Sequence, residues 1–299
     1  MKKIELILWF KCNCRCVFCA VDQKTAEQSM STVEAIRYMA QSRKEGAVEV
    51  SFGGGEPTLR KDLLDLTRAA TRLGYYRIGV RSNGLLFYSP EFVEKCMHAG
   101  INQFVISIKA CSPAVQDELS QVEGAFEKME MGLKHIVDFG GDIEAEILLT
   151  RETVSNLREL VKHCVDIGVR KFHMYLYSLF GSNYALPELL PTMTAAGRMI
   201  VETAQAFKRE DIRIYTTHIP PCFLCPCEGL YVNMASLGLM IITPNGFFPA
   251  ETSPFQAGLK TDKCTGCVKY DLCGGIRPEY IERFSDSEIR AVKANVRAR

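Results

Sequence analysis

Cysteine is the residue type in this 299-residue chain best suited to chemistry, because ten of its thirteen cysteines fall into three short clusters. The clusters occupy positions 12–19, 222–227 and 264–273, whereas Cys96, Cys111 and Cys164 stand alone. An odd number of cysteines, with no export signal recognised at the N-terminus, argues against a disulfide framework. Clustered thiols in a reducing compartment usually bind metal, so we expect metal sites and a cytoplasmic protein.

The first cluster places Cys12, Cys16 and Cys19 in a C-x3-C-x2-C spacing directly after an apolar run at 4–10. A [4Fe–4S] cluster normally takes four thiolates, so three thiolates from one loop leave one iron with an open coordination position. An open position distinguishes a reactive metal site from a structural one. Cys14 lies off this pattern and receives no ligand role. A zinc site or incidental thiols are the alternatives that the spacing alone leaves open.

The stretch CNCRCVFC, with Phe18 just before the last cysteine, resembles the cysteine motif of the radical S-adenosylmethionine (SAM) superfamily. The segment GGGEP at 53–57 resembles the motif with which this family receives the methionine end of SAM. The resemblance implies a SAM-binding [4Fe–4S] cluster on the three cysteines, with Glu56 near the SAM ammonium group and Ser107 at the ribose. The cofactor-binding residues that it implies are Phe18, Gly54, Gly55, Glu56, Pro57, Ser82, Asn83 and Ser107. Taken singly, the glycine segment also fits a turn that opens a helix, and Asn83-Gly84 fits a plain turn.

Six apolar runs alternate with helical patterns over the first part of the chain. The runs lie at 4–10, 48–52, 77–80, 104–108, 143–149 and 172–177. Such alternation predicts parallel strands joined by helical crossovers, in a barrel or in an open doubly wound sheet. In nearly every run one face is apolar and the other polar or charged, which favours a curved sheet with helices on one side and a polar lumen. This agrees with the α/β fold that the resemblance implies, a partial (βα)6 TIM-like barrel.

The polar faces of these runs supply candidate residues for catalysis. Charges enclosed in a lumen must be paired or must meet a ligand. We therefore predict that Lys109, Glu146, Tyr175 and Tyr177 contact SAM or substrate, together with Arg81 and His173. A structural ion-pair layer at the floor of the barrel is the alternative.

A second region begins after a helix predicted at about 192–208. We predict a barrel domain over 1–215 and a small cysteine-rich auxiliary-cluster domain over 216–299. The segment 237–250 reads as a hairpin with a Pro-Asn-Gly turn. A final helix is predicted with Ser285 and Glu288 at its N-terminal cap.

The spacing C-x2-C-x5-C of Cys264, Cys267 and Cys273, followed by Gly-Gly, resembles the SPASM and twitch auxiliary-cluster domains of radical SAM enzymes. The further cysteine that SPASM domains usually carry after Gly-Gly is replaced here by Ile276 and Arg277. The resemblance implies one auxiliary [4Fe–4S] cluster with Cys222 as its fourth ligand. Cys225 and Cys227 are alternatives for that ligand, and a structural zinc site is the alternative for the cluster.

The composition excludes several classes of protein. The chain is 47% hydrophobic and 24% charged with a net charge of +1, so it is neither disordered nor strongly basic, and we expect no nucleic-acid partner. No run approaches the 18 apolar residues of a spanning helix, so we expect no membrane partner.

The resemblance also implies the activity. The cluster would reductively cleave SAM to a 5′-deoxyadenosyl radical that abstracts hydrogen from a peptide or small-molecule substrate, for oxidation or bond formation. An external flavodoxin- or ferredoxin-like protein would donate the electron. Radical decarboxylation or methylation of a cofactor-like molecule is a second enzymatic interpretation. A non-catalytic iron–sulfur or zinc protein for electron transfer or scaffolding is the interpretation from another class.

Overall fold

A single sheet forms the centre of the protein. The structure is a computed structural model that describes residues 2–19, 21, 27–179, 186–253 and 258–294. Its strands are β1 (Lys2–Trp9), β2 (Ala47–Gly54), β3 (Arg77–Ser82), β4 (Gln103–Ile108), β5 (Asp142–Leu149), β6 (Lys171–Leu176), β7 (Arg213–Thr216), β8 (Leu239–Thr243) and β9 (Gly246–Pro249). Their order is β7-β6-β5-β4-β3-β2-β1-β8-β9. All neighbours pair in parallel except β8 and β9, which form the antiparallel hairpin that the sequence predicts.

Helices connect the successive parallel strands. They are α1 (Thr32–Lys44), α2 (Leu63–Arg72), α3 (Pro90–Ala99), α4 (Pro113–Ser120), α5 (Ala125–Asp138), α6 (Arg151–Ser155), α7 (Leu157–Ile167), α8 (Met193–Ala206) and α9 (Pro278–Phe284). Ser31 caps α1 in a complete capping box with Glu34, and Ser89 caps α3 with Pro90 in its first turn. These local signals fix where the two helices begin.

The two faces of the sheet differ as expected. Apolar side chains such as Leu6, Phe52 and Phe172 are fully buried on the helix side. The strand register places Ser107 beside Glu146 and Glu146 beside His173, so polar side chains share the opposite face. The α/β partial barrel, with a parallel sheet and helices packed on it, is therefore the observed fold.

Three features differ from the sequence-based expectations. β7 was not predicted, and it spans the boundary placed at residue 215. β8 pairs with β1, so the hairpin extends the same sheet. The predicted final helix is wrong, because Pro278 begins α9 upstream and Ser285 follows its end with a φ of 57°. An N-cap residue has extended backbone with a negative φ, and Ser285 does not have that conformation.

Candidate functional site

The loop with Cys12, Cys16 and Cys19 leaves the carboxyl end of β1, which is the edge where barrels of parallel strands carry their sites. Two backbone hydrogen bonds fix its middle to the end of α4: Arg15 N donates to the Ser120 carbonyl and Val17 N to the Leu119 carbonyl, each at 3.1 Å. The three thiols are half-buried or exposed at the mouth of the barrel.

The glycine segment packs against the chain that enters this loop. Gly54 has a φ of +116°, and a Cβ there would lie 2.2 Å from the Trp9 carbonyl oxygen. A Cβ on Gly55 would lie 2.3 Å from the Lys11 carbonyl oxygen. Gly55 N donates to the Trp9 carbonyl at 2.7 Å, and Glu56 N donates to the Lys11 carbonyl at 2.8 Å. The glycines thus permit the close approach of two backbone segments, a function that the sequence did not reveal.

The Glu56 carboxylate joins the turns that follow β2 and β3. Glu56 is fully buried, and its carboxylate accepts hydrogen bonds from Thr58 N at 3.0 Å, Ser82 Oγ at 2.9 Å and Asn83 N at 2.8 Å. Burial raises the pKa of Glu56, and these hydrogen bonds partly offset that rise because they stabilise the carboxylate. Three residues that the resemblance assigned to SAM therefore form one connected unit.

Asn83 extends this unit to the cysteine loop. Its Nδ2 donates to Asn13 Oδ1 at 2.7 Å and lies 3.4 Å from Cys14 Sγ and 3.7 Å from Cys12 Sγ. Asn13 was not predicted to belong to the site. Its position within the cysteine loop is the sequence feature that could have indicated this role. Asn83 therefore connects Glu56 of the glycine segment to the cysteine loop.

The thiols of this loop affect one another. A hydrogen bond with Cys14 lowers the pKa of Cys12 to about 7 and the pKa of Cys16 to about 6. The Lys109 ammonium, buried just after β4, contributes to the lowered pKa of Cys16. Burial raises the pKa of Cys19. Stabilised thiolates beside a buried cation suit an anionic iron–sulfur cluster.

The number and type of donors on this loop suit a cube with three protein ligands. In the part of the chain that the structure describes, no three His, Cys, Asp or Glu side chains converge as they would around one metal ion. A cube does not need such convergence, because each thiolate binds a different iron. The Cys12, Cys16 and Cys19 thiols on one loop suit a cube with three protein ligands. Phe18 and Pro57 flank this region, Phe18 packing half-buried against the core and Pro57 beginning a short 3-10 turn.

An ion-pair network fills the lumen. Arg81 donates to the Glu146 carboxylate, and its Nε lies 3.3 Å from Glu5 Oε2. His173 Nδ1 lies 3.3 Å from Glu146 Oε1, and His173 Nε2 lies 3.1 Å from Thr217 Oγ1. Burial alone would raise the pKa of Glu146, but Arg81 and His173 hold it at about 2. The charges are paired with one another, as the structural alternative for these residues predicts.

The two candidate tyrosines have different surroundings. The Tyr175 ring centroid lies 5.6 Å from that of His173, and the negative charges that raise the pKa of its buried hydroxyl include Glu146 and Cys16. Tyr175 therefore lies beside the ion-pair network. Tyr177 is fully buried, and the charge acting on its hydroxyl is that of Glu188. Tyr177 is therefore influenced by a different carboxylate from Tyr175.

The C-terminal cysteines meet around one cavity. Its wall includes Cys222, Cys264, Cys267 and Cys273. Burial, together with the other three thiols, raises the pKa of Cys222 to about 12. Cys225 is exposed and Cys227 lies 3.9 Å from Gln205 Nε2, and neither lines this cavity. Of the alternatives for a fourth thiol, the structure places Cys222 with the other three.

The first comparison concerns sequence relatives. The chain is 27% identical over 176 residues to a probable GTP 3′,8-cyclase of Saccharolobus solfataricus, covering 58% of this chain and 56% of that protein. It is 30% identical over 177 residues to an AdoMet-dependent heme synthase of Oleidesulfovibrio alaskensis, covering 58% and 45%. The chain thus spans about half the length of the curated relatives that it matches.

Solved structures and a family model complete the comparison. The fold resembles that of Streptococcus suis SuiB bound to S-adenosylmethionine, with a TM-score of 0.71 and 18% identity over 98% of this chain and 76% of that one. It also resembles anSMEcpe with bound AdoMet and a peptide, with a TM-score of 0.68 and 11% identity over 97% and 93%. The model of the Radical SAM superfamily matches residues 6–173, more than half of the chain. The chain therefore belongs to the radical SAM superfamily, whose members use a [4Fe–4S] cluster and SAM.

Proposed function

We propose that this protein is a radical SAM enzyme that oxidises its substrate, or forms a bond within it, with the help of an auxiliary cluster. Cys12, Cys16 and Cys19 hold the [4Fe–4S] cluster that binds SAM. That cluster and SAM together supply a 5′-deoxyadenosyl radical, which abstracts a hydrogen atom from the substrate. The observation that carries the proposal is the Glu56–Asn83 unit, which connects the glycine segment to the three-thiol loop.

The protein's own residues position and shield the chemistry. Lys109 is 2% exposed and brings a positive charge next to the thiolates. Beneath them the lumen holds the paired charges of Arg81, Glu146 and Glu5. The Tyr175 ring lies 5.6 Å from the ring of His173, which belongs to this network, and Tyr175 is our candidate for contact with the substrate.

Cys222, Cys264, Cys267 and Cys273 hold the auxiliary cluster in this proposal. Four thiols around one cavity are the donor number that a cube takes from protein. Gly275 N donates to Cys273 Sγ at 3.3 Å, a contact that stabilises a thiolate. A cluster bound there would accept the electron that the substrate radical loses when it becomes the oxidised product. A flavodoxin- or ferredoxin-like protein supplies the electron that SAM cleavage consumes.

The substrate is a peptide or a small molecule. One structure with this fold, SuiB of Streptococcus suis, is bound to the precursor peptide SuiA, with a TM-score of 0.67 and 18% identity over 87% of this chain and 61% of that one. The sequence relatives are named for GTP cyclisation and heme synthesis. The shared region holds the cluster and SAM residues, whereas the C-terminal part of the chain lies outside the superfamily match. We therefore propose that the C-terminal part of the chain selects the substrate.

The test is SAM cleavage by the anaerobically reconstituted chain with dithionite as electron donor. Wild type and Cys225→Ala should produce 5′-deoxyadenosine, because Cys225 is exposed and lies outside both thiol sites. Cys16→Ala should produce none and should lose about half of the iron. Production by the wild type no greater than by Cys16→Ala would refute the proposal and favour a non-catalytic iron–sulfur protein.

A further inference from the structure

Exposed apolar side chains are concentrated around the C-terminal thiols. Of the eleven large apolar side chains that are exposed in the described ranges, four lie within residues 259–272, with exposed fractions of 44–62%. They are Leu259, Val268, Tyr270 and Leu272, which we call the auxiliary patch. The same segment carries Cys264 and Cys267, and Cys273 follows it directly. Single exposed apolar residues are ordinary, but a group of them beside one site marks an interaction surface.

Hydrogen bonds fix the backbone of the auxiliary patch to neighbouring segments. Val268 N donates to the Val292 carbonyl at 3.0 Å, and Asn233 Nδ2 donates to the Leu272 carbonyl at 2.8 Å. These bonds hold the chain on both sides of Tyr270. The patch is therefore a preformed surface, and a partner can dock on it without the entropic cost of ordering a loose loop.

Positively charged side chains surround the same thiols. The cavity that the four thiols share is also lined by three cations, Lys260, Lys269 and Arg290. A fourth cation is Lys293, whose Nζ lies 3.8 Å from the position that a Cβ on Gly266, between two of the cysteines, would take. Lys260 Nζ also lies 4.0 Å from the centroid of the Tyr270 ring. The cations and the auxiliary patch are therefore adjacent.

Few carboxylates balance these four cations. In the part of the chain that the structure describes, none of the four forms an ion pair, whereas the neighbouring Lys263 pairs with Asp286 at 3.2 Å. The carboxylates within residues 259–273 are those of Asp262 and Asp271, and both are exposed. The surface around the thiols therefore carries more positive than negative side chains.

The charges and the exposed fractions together select the kind of partner. A [4Fe–4S] cluster on four thiolates is itself negatively charged, but the thiols are half-buried whereas Lys260 and Lys293 are exposed. An approaching protein thus meets ammonium groups before it meets the cluster, which favours an acidic protein. A second copy of this chain that presented the same surface would place cations against cations. An apolar centre with a charged rim also suits the small interfaces through which redox proteins meet.

We propose that the auxiliary patch and its four cations dock an acidic one-electron carrier protein, which takes up the electron that the substrate radical loses. The inference rests on the proposed function, because it assigns a cluster to the four thiols. The substrate gives a hydrogen atom to the 5′-deoxyadenosyl radical, and the resulting substrate radical gives one proton to solvent and one electron, through the auxiliary site, to the oxidised carrier. The carrier leaves reduced by one electron, and the protein returns to its starting state.

The test is isothermal titration calorimetry of the anaerobically reconstituted protein, with oxidised flavodoxin, an acidic one-electron carrier, as the probe. Wild type should bind flavodoxin at low ionic strength, and added salt should weaken the binding. Leu272→Asp and Lys293→Glu should each weaken it roughly 10-fold or more, because the first places a charge in the apolar centre and the second reverses a charge at the rim. Met131→Asp on α5 and Lys44→Glu on α1 are the matched controls and should leave binding unchanged, since both residues are exposed and lie on other elements.

The iron content of each variant shows whether its clusters are retained. Lys293 lies outside the segment that carries the cysteines, so Lys293→Glu decides the matter if Leu272→Asp fails to fold. The inference would be overturned by no binding to wild type, by binding that neither patch variant weakens, or by equal weakening in the two controls. Self-association of wild type in place of flavodoxin binding, abolished by Leu272→Asp in sedimentation experiments, would also overturn it, because the patch would then serve a second copy of this chain.

The calorimetry separates this inference from the proposed function. Binding of flavodoxin requires no SAM cleavage, and SAM cleavage with dithionite requires no carrier protein. A protein that binds flavodoxin as expected but forms no 5′-deoxyadenosine would contradict the proposed function alone. A protein that forms 5′-deoxyadenosine but does not bind flavodoxin would contradict the docking surface alone.

Discussion

Replacing Gly55 by alanine is the sharpest single perturbation of the cysteine loop that the structure suggests. The new Cβ would lie 2.3 Å from the Lys11 carbonyl oxygen and 2.6 Å from the Phe10 carbonyl carbon. An ordinary contact begins at 3.4 Å, so the Lys11 carbonyl must retreat by about 1.1 Å, the difference between 3.4 and 2.3 Å. Both opposing atoms belong to backbone, so no side-chain rotation relieves the contact.

The loss of folding stability in Gly55→Ala follows from these contacts. Overpacking a tight site costs about 1–3 kcal/mol. The same displacement lengthens the hydrogen bonds from Gly55 N to Trp9 and from Glu56 N to Lys11, each worth about 1 kcal/mol. We therefore expect Gly55→Ala to lower the free energy of unfolding by about 3–5 kcal/mol, which corresponds to a fall in Tm of roughly 10 °C.

Two measurements check this prediction. Thermal unfolding of the anaerobic protein, followed by circular dichroism, reports the loss of stability. Iron content after reconstitution reports the cluster loop, and it should fall by about half, because the displaced backbone leads directly to Cys12 while the C-terminal thiols are untouched. Gly229→Ala is the matched control, since a Cβ there meets no atom within 4 Å and the φ of Gly229 is not in the left-handed range.

A Gly55→Ala protein with the Tm and iron content of Gly229→Ala would show that the cysteine loop does not depend on close packing against the glycine segment. The three glycines would then be explained by the ligand alone, as the family resemblance first implied.

Two further predictions concern the auxiliary thiols and the lumen. Cys222→Ala should lower the iron content of the reconstituted protein from about eight to about four atoms per chain while Cys225→Ala does not, and equal loss in both would contradict the choice of Cys222. Glu146→Gln should destabilise the protein by about 3 kcal/mol at pH 7. The folded-state pKa of Glu146 is lowered, so its contribution is present above its ordinary pKa of 4.5 and disappears as the pH falls toward 2. The difference in urea midpoint between the variant and wild type should narrow over that window, and a constant difference would contradict the argument.

The predictions from sequence were correct where one short segment contains all the residues that determine an element. The six strands of the barrel were identified because alternation of apolar and polar residues is visible within each strand. The hairpin of β8 and β9 was identified from its turn residues. β7 was missed because RIYT is too short to show a period, and the final helix was misplaced because a capping box at Ser285 competed with a proline start at Pro278.

Predictions about contacts between distant segments were less complete. Arg81, Glu146 and His173 were correctly placed on one face, but Glu5 and Thr217, which complete their network, were not foreseen. Among the described helices, none is both long and apolar enough to cross a membrane.

The sequence by itself determined the spacing of Cys12, Cys16 and Cys19 and the face on which each strand residue lies, because both are properties of a few consecutive residues. The tertiary structure decided that Cys222 joins thiols roughly forty to fifty residues away, that the glycines pack on the end of β1, and that Arg277 is buried against the carboxyl end of β6. Those outcomes depend on how the crossovers and the hairpin bring distant backbone segments to one edge of the sheet, and no local pattern of residue types records that arrangement.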